Sequence, residues 1–285
     1  MKRIMMALAV ALMTASCDRR EIEMDADINS ADSTMTSMVI TFSFQNFSMI
    51  PMTRATLSDA GVCDLWLFDY MDGSLVSSVH QSSDDEGFGS LSINADYGEH
   101  RLYFVAAAGS DPVVDGTTIS WNIPRDTFWK SITLNIAPST SSTQSVVLQR
   151  VVTRFRIAVT DEVPDGIAAL CLAPSHWYYG LDYTTGEPVD DRSSVRSVNI
   201  PASYIGTSGS LAMAIYGLCP SEGYSTAIRV TAKSSDESPM ADITLSDVPL
   251  QRNRITSYSG ELFSATRSMS VSVDDAWNDD YASTW

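Results

Sequence analysis

Positive charge is scarce in this sequence. Eighteen Lys and Arg stand against 35 Asp and Glu, a formal net charge of -17 at pH 7. A chain so acidic repels phosphates, which argues against nucleic acid as a partner and against a polybasic grip on anionic lipid. Histidine is nearly as rare, with His80, His100 and His176 far apart and none in an H-E-x-x-H pattern. No P-loop, no G-x-G-x-x-G and no G-x-S-x-G nucleophile elbow is present. The acidic pairs, Asp84-Asp85-Glu86 and Asp190-Asp191, are adjacent in sequence, whereas glycoside hydrolysis needs two carboxylates across a cleft. These gaps point away from an enzyme, and no cofactor or metal is expected. A start like a calcium loop, Asp25-Ala26-Asp27, fails where Ser30 replaces the required Gly and Thr36 the bidentate Glu.

Cysteine is also sparse. Beyond Cys17 only Cys63, Cys171 and Cys219 remain, an odd number with no C-x-x-C spacing. Buried free thiols are therefore expected rather than zinc or thiol-exchange chemistry. Long apolar runs are missing too, apart from residues 4–13, which are too short to cross a bilayer. That run follows Lys2 and Arg3 and ends at Thr14-Ala15-Ser16-Cys17, the layout of a secretory signal peptide. Small residues before a cysteine resemble a bacterial lipobox, although Thr14 stands where Leu is usual. The expectation is a lipoprotein signal peptide over residues 1–16, cleaved before an acylated Cys17 that holds the chain in the outer-membrane lipid. Residues 17–36 are polar and acidic, as expected of a flexible tether.

From residue 37 onward the dominant signal is period two. Met38, Ile40, Phe42 and Phe44 alternate with Val39, Thr41 and Ser43, the mark of a half-buried strand. Residues 63–70 form a second apolar run, closed by Met71-Asp72-Gly73-Ser74, a hairpin signal. Residues 102–106 are apolar on both faces and should lie centrally in a sheet. Further strand-like runs recur at regular intervals to residue 263, separated by Pro, Gly, Asn and Ser clusters. No segment carries a long 3.6-residue stripe, although residues 127–131 suit a short helical turn. Many short strands at this spacing predict an all-β chain with two sandwich domains, over residues 37–149 and 150–265. Residues 266–285 follow as a C-terminal strand and tail. His176-Trp177-Tyr178-Tyr179 reads either as core aromatics or as a sugar-stacking platform. Trp277 and Trp285 should dock on their own domain or on a partner.

Several of these runs resemble a known family. Leu148-Gln149-Arg150-Val151-Val152-Thr153-Arg154-Phe155-Arg156-Ile157 is similar to the start of the second domain in Bacteroidetes fimbrillins. Val248-Pro249-Leu250-Gln251-Arg252-Asn253-Arg254-Ile255-Thr256, followed by Gly260-Glu261-Leu262-Phe263, is similar to their late strand pair. Met52-Thr53-Arg54-Ala55-Thr56, shortly before the run Asp64-Leu65-Trp66-Leu67-Phe68-Asp69, is similar to that family as well, and residues 270–274 with Trp277 resemble tails of the FimB/Mfa2 group of fimbrial lipoproteins. The resemblance implies two tandem transthyretin-like Greek-key β-sandwich domains and a place on the cell surface in a fimbrium. It also implies assembly with other fimbrial subunits by strand addition.

In polymerising members of that family an arginine-specific protease releases the first strand, so Arg54 is the candidate cleavage position and Ala55 the new N-terminus. The strand to be released would carry Met38, Ile40, Phe42 and Phe44. Met269, Val271 and Val273, with Trp277 and Trp285, form a candidate partner-contact tail whose shortness favours an anchor or accessory subunit over a polymerising one. The competing expectation is a non-polymerising surface lipoprotein that binds glycan or host protein through residues 177–179.

Overall fold

A computed structural model describes residues 36–47, 61–109, 111–265 and 268–274. Among them the chain is all-β, with three sheets and one short 3-10 turn at Ala202–Tyr204. In chain order the strands begin with β1 (Ser37–Phe47), β2 (Asp64–Met71), β3 (Ser74–Ser82), β4 (Ser90–Asp96) and β5 (Gly98–Ala107). A small hairpin follows, β6 (Val113–Asp115) and β7 (Thr118–Ser120), then β8 (Thr127–Ile136) and β9 (Thr143–Arg150). Next come β10 (Val152–Val159), β11 (Ile167–Pro174), β12 (Tyr178–Asp182), β13 (Glu187–Asp191) and β14 (Arg196–Asn199). The last are β15 (Leu211–Leu218), β16 (Tyr224–Ser234), β17 (Pro239–Leu250), β18 (Ile255–Gly260) and β19 (Met269–Asp274).

One wiring occurs twice. In the first half β1 lies between β4, antiparallel, and β9, parallel, while β3-β2-β5-β8 forms the adjoining row of strands. In the second half β10 lies between β15, antiparallel, and β18, parallel, facing the row β14-β11-β16-β17. The halves differ in what extends them. β19 adds an antiparallel strand outside β18, and β12, β7 and β6 extend the sheet beyond β15, with β13 paired to β12. The β6–β7 hairpin, which precedes β8 and β9 in sequence, therefore pairs with a strand of the second half.

Local chemistry explains the elements. The β2–β3 hairpin turns on Asp72 and Gly73, both at positive φ (51° and 78°), as a two-residue type I′ turn requires. Three apolar clusters hold the sheets. Ile40, Phe42, Leu65, Leu67, Leu102, Phe104 and Leu148 belong to the first, and Phe155, Ile157, Trp177, Tyr179, Ile215 and Val230 to the second. The third mixes both halves, joining Trp66, Phe68, Tyr103 and Trp121 to Val152, Leu181, Tyr183 and Leu218. Residues 102–107 are all buried because Leu102, Phe104 and Ala106 face the first cluster while Tyr103, Val105 and Ala107 face the third. The central position expected from their two apolar faces is the one they occupy, between β2 and β8.

One expectation is corrected. Residues 127–131 start the ten-residue strand β8 rather than a helical turn, because pairing with β5 runs unbroken from Ala107↔Thr127 to Gly98↔Ile136. Local propensity yields here to a full ladder against a buried strand.

Candidate functional site

The most informative place is the slot that β1 fills. Its register opposes Ile40 to Ile93 and Phe42 to Leu91 on β4, and Phe42 to Gln144 and Phe44 to Val146 on β9. Ile40 and Phe42 are fully buried, Met38 and Phe44 pack against the same cluster, and Val39 is 58% exposed on the opposite face. The four residues singled out in the sequence thus lie on one apolar face. Phe104 of β5 receives both aromatic rings, Phe42 at a centroid distance of 5.1 Å and Phe44 at 5.7 Å in an edge-on arrangement. On the outer face Thr41 Oγ1 and Ser92 Oγ hydrogen-bond across the strands at 2.8 Å. The entry of β1 is held by the backbone, with Tyr97 N–H donating to the Thr36 carbonyl at 2.7 Å. Taking β1 out would expose apolar surface and unpair backbone groups on β4 and β9 together.

The remaining candidate residues are spread out. Met269 packs against the second cluster, whereas Val271 (54% exposed) and Val273 (42% exposed) are open along β19, the outermost strand of its sheet. Cys17, Arg54, Ala55, Trp277 and Trp285, with the signal peptide and tether, lie outside the described residues. The sugar-platform reading of residues 177–179 is corrected. Trp177 and Tyr179 are each 1% exposed, and Trp177 donates its Nε1–H to the Tyr216 carbonyl at 2.9 Å. Arg192 and Arg196 lie over the Tyr179 ring at 4.2 and 5.1 Å, and the half-buried Tyr178 meets Tyr224 in an edge-on contact at 5.3 Å. Cys63, Cys171 and Cys219 are free thiols, and burial pushes Cys219 up to about 12. No group of residues with metal-ligand chemistry occurs among the described residues.

Three polar constellations were not anticipated. Arg150 donates Nε–H and Nη2–H to the two Asp126 oxygens at 2.6 and 2.7 Å, and Nη1–H to Asn253 Oδ1 at 3.1 Å. It thereby ties the approach to β8, the end of β9 and the β17–β18 turn. Asp161 accepts backbone N–H groups from Leu262, Phe263 and Ser264 at 2.7–3.0 Å, fixing the turn that leads toward β19. His100 and Asp69, both buried, contact each other at 2.7 Å. The available signal was a lone charge inside an apolar strand, as at Asp69 within Leu67-Phe68-Asp69-Tyr70, where burial demands a partner.

The fold recurs in solved structures. A candidate polysaccharide-binding protein from Bacteroides thetaiotaomicron matches at TM-score 0.57 and 12% identity, covering 85% of this chain and 99% of the other. A candidate adhesin from Bacteroides ovatus matches at TM-score 0.53 and 12% identity, covering 86% and 96%. Another candidate adhesin, from Bacteroides thetaiotaomicron, matches at TM-score 0.52 and 11% identity, covering 83% and 95%. At such identities the likeness concerns the fold. No curated protein matches the sequence. One family model does, over residues 113–285, which begin at the β6–β7 hairpin and take in the whole second wiring. With more than half of its length matched, the chain belongs to DUF6562, a family of unknown function.

Proposed function

We propose that this protein is a structural subunit of a cell-surface fimbrium, an anchor or accessory subunit that assembles by β-strand exchange and supports adhesion. The observation that carries the reading is the position of β1. It is the first described strand of the chain, yet it sits between two strands and closes the first apolar cluster. A first strand so placed is the one element whose departure opens a groove that another chain's strand fills, restoring backbone pairing and burial together. The likeness to candidate adhesins and the resemblance to fimbrillins support the same reading. The repeated wiring is taken as two tandem transthyretin-like sandwiches, over residues 37–149 and 150–265, with the β6–β7 hairpin reaching across to the second. Cys17 would carry the lipid that holds the subunit at the outer membrane.

Mass spectrometry of the mature N-terminus, recovered from cell surfaces, tests this. A lipid-modified Cys17 means that β1 stays in place and the protein anchors or decorates a fimbrium. A start at Ala55 means that β1 has been released and the subunit polymerises, which refutes the anchor or accessory role and leaves the fimbrial one. A protein with neither N-terminus that never associates with filament material refutes the proposal.

A further inference from the structure

Asp69 of β2 and His100 of β5 form a buried pair. Both residues are 1% exposed. Strand register sets neutral residues opposite them: Ser77 and Leu102 beside Asp69, Met71 and Leu134 beside His100. The charged neighbours Asp96, Glu99 and Arg101 are exposed. His100 Nε2 lies 2.9 Å from the Asp96 carbonyl, which can only accept, so Nε2 carries a hydrogen. Its Nδ1 lies 2.7 Å from Asp69 Oδ1, and that contact needs one more proton, on the ring or on the carboxyl. Asp69 Oδ2 has no hydrogen-bond partner, which disfavours a bare carboxylate in this place. Burial likewise holds Asp69 above the ordinary carboxylate range, against the opposing pull of His100.

The Asp96 carbonyl belongs to the turn that joins β4 to β5. That turn passes through Gly98 at φ +148°, where an added Cβ would lie 2.6 Å from Met71 Cε. The same turn holds the entry of β1, since Asp96 pairs with Ser37 and Tyr97 N–H donates to Thr36.

We propose that the proton shared by Asp69 and His100 latches the entry of β1. When the proton leaves, one N–H remains for two acceptors. The buried carboxylate takes it, because a charge-assisted hydrogen bond is the stronger. The ring hydrogen moves from Nε2 to Nδ1, and a lone pair then faces the Asp96 carbonyl. The turn loses its donor and β1 loosens at its start. The latch is closed while the proton is held and opens when rising pH removes it. This deepens the strand-exchange reading by naming a control on β1, and it rests on that reading only for its consequence.

Hydrogen exchange of the full chain tests it, followed over residues 36–40 from about pH 6 to about pH 9 and corrected for base catalysis. Protection there should fall about tenfold or more as pH rises, while β10 stays unchanged. In Asp69→Asn the amide donates to a bare Nδ1 or accepts from a protonated one, so Nε2 keeps its hydrogen and the fall should disappear. Protection independent of pH in the wild type overturns the latch, as does an undiminished fall in folded Asp69→Asn. Should that variant not fold, nitrogen-15 shifts of wild-type His100 decide, with the hydrogen expected on Nε2 at low pH and moving to Nδ1 at high pH. A hydrogen that stays on Nε2 overturns it. The exchange data read the latch and the N-terminal assignment reads strand release, so either can fail alone.

Discussion

Truncating β1 one side chain at a time tests the register on which its role depends. Phe42 is fully buried and its ring meets Phe104 at 5.1 Å. Phe42→Ala removes transfer energy and leaves a cavity, at about 3–5 kcal/mol, with the aromatic pair accounting for about 1 kcal/mol of it. Phe44 is only partly buried, and Phe44→Ala should cost about half as much. Val39 lies on the open face, so Val39→Ala should stay within about 0.5 kcal/mol. Against a total stability of about 5–15 kcal/mol, Phe42→Ala alone removes a third or so. With a urea slope of about 3 kcal/mol/M, its midpoint falls by about 1 M or more. Urea unfolding followed by tryptophan fluorescence reads the series. A period of two makes the costs alternate, and a slip of one residue turns the other face inward. Equal costs for Phe42→Ala and Val39→Ala would refute both the register and the groove built on it.

Two other outcomes follow from the buried polar groups. Arg150→Ala removes the bidentate partner of Asp126 and the guanidinium over the Phe128 ring and should destabilise by about 3–5 kcal/mol, whereas Arg150→Met, which fills part of the same space with an apolar side chain, should be the milder change in thermal unfolding. Cys219 should resist an aromatic disulfide reagent at neutral pH in the folded protein and react once urea unfolds it. Its folded value is raised, so its contribution to stability is present below the ordinary 9.0 and is lost as pH rises from there toward about 12, visible as an alkaline fall in the unfolding midpoint.

Much of the fold is legible in the sequence because strand alternation and turn residues are local. The Met38 to Phe44 alternation and the Asp72-Gly73 turn each carry their own physical cause within a few residues. Residues 127–131 misled because Thr-Phe-Trp-Lys-Ser lacks clean alternation. The distant β5 and β9 decide its state, and ladder partners about 20 or more residues away leave no local trace. The polar constellations were hidden for the same reason. Asp126 and Arg150 are 24 positions apart, and Asp161 meets its three donors about a hundred positions later. Aromatic residues were ambiguous on other grounds. Tyr179 lies on β12 and Trp177 just before it, both buried in the core, and sequence alone does not say which face of a sheet is covered.

The third apolar cluster bears on how exchange at β1 could reach the rest of the molecule. Odd residues of β5 pack toward the second half while even residues pack under β1, so one strand forms the floor of the slot and one wall of the joint between the halves. The joint is tight. Phe68 stacks on Tyr183 at 3.7 Å and 2°, Tyr70 and Tyr183 share a hydroxyl contact at 3.1 Å, and Trp129 donates its Nε1–H to the Tyr183 carbonyl at 2.7 Å. A close-packed joint has no voids to absorb a displacement, so it passes strain on. Another strand in place of β1 would therefore leave β5 and the joint undisturbed only if it supplied apolar groups at the Ile40 and Phe42 positions. The demand on a partner strand is thus set by Phe104, which needs an aromatic or large aliphatic group above it, and a donor with alternating small residues would leave the slot half empty.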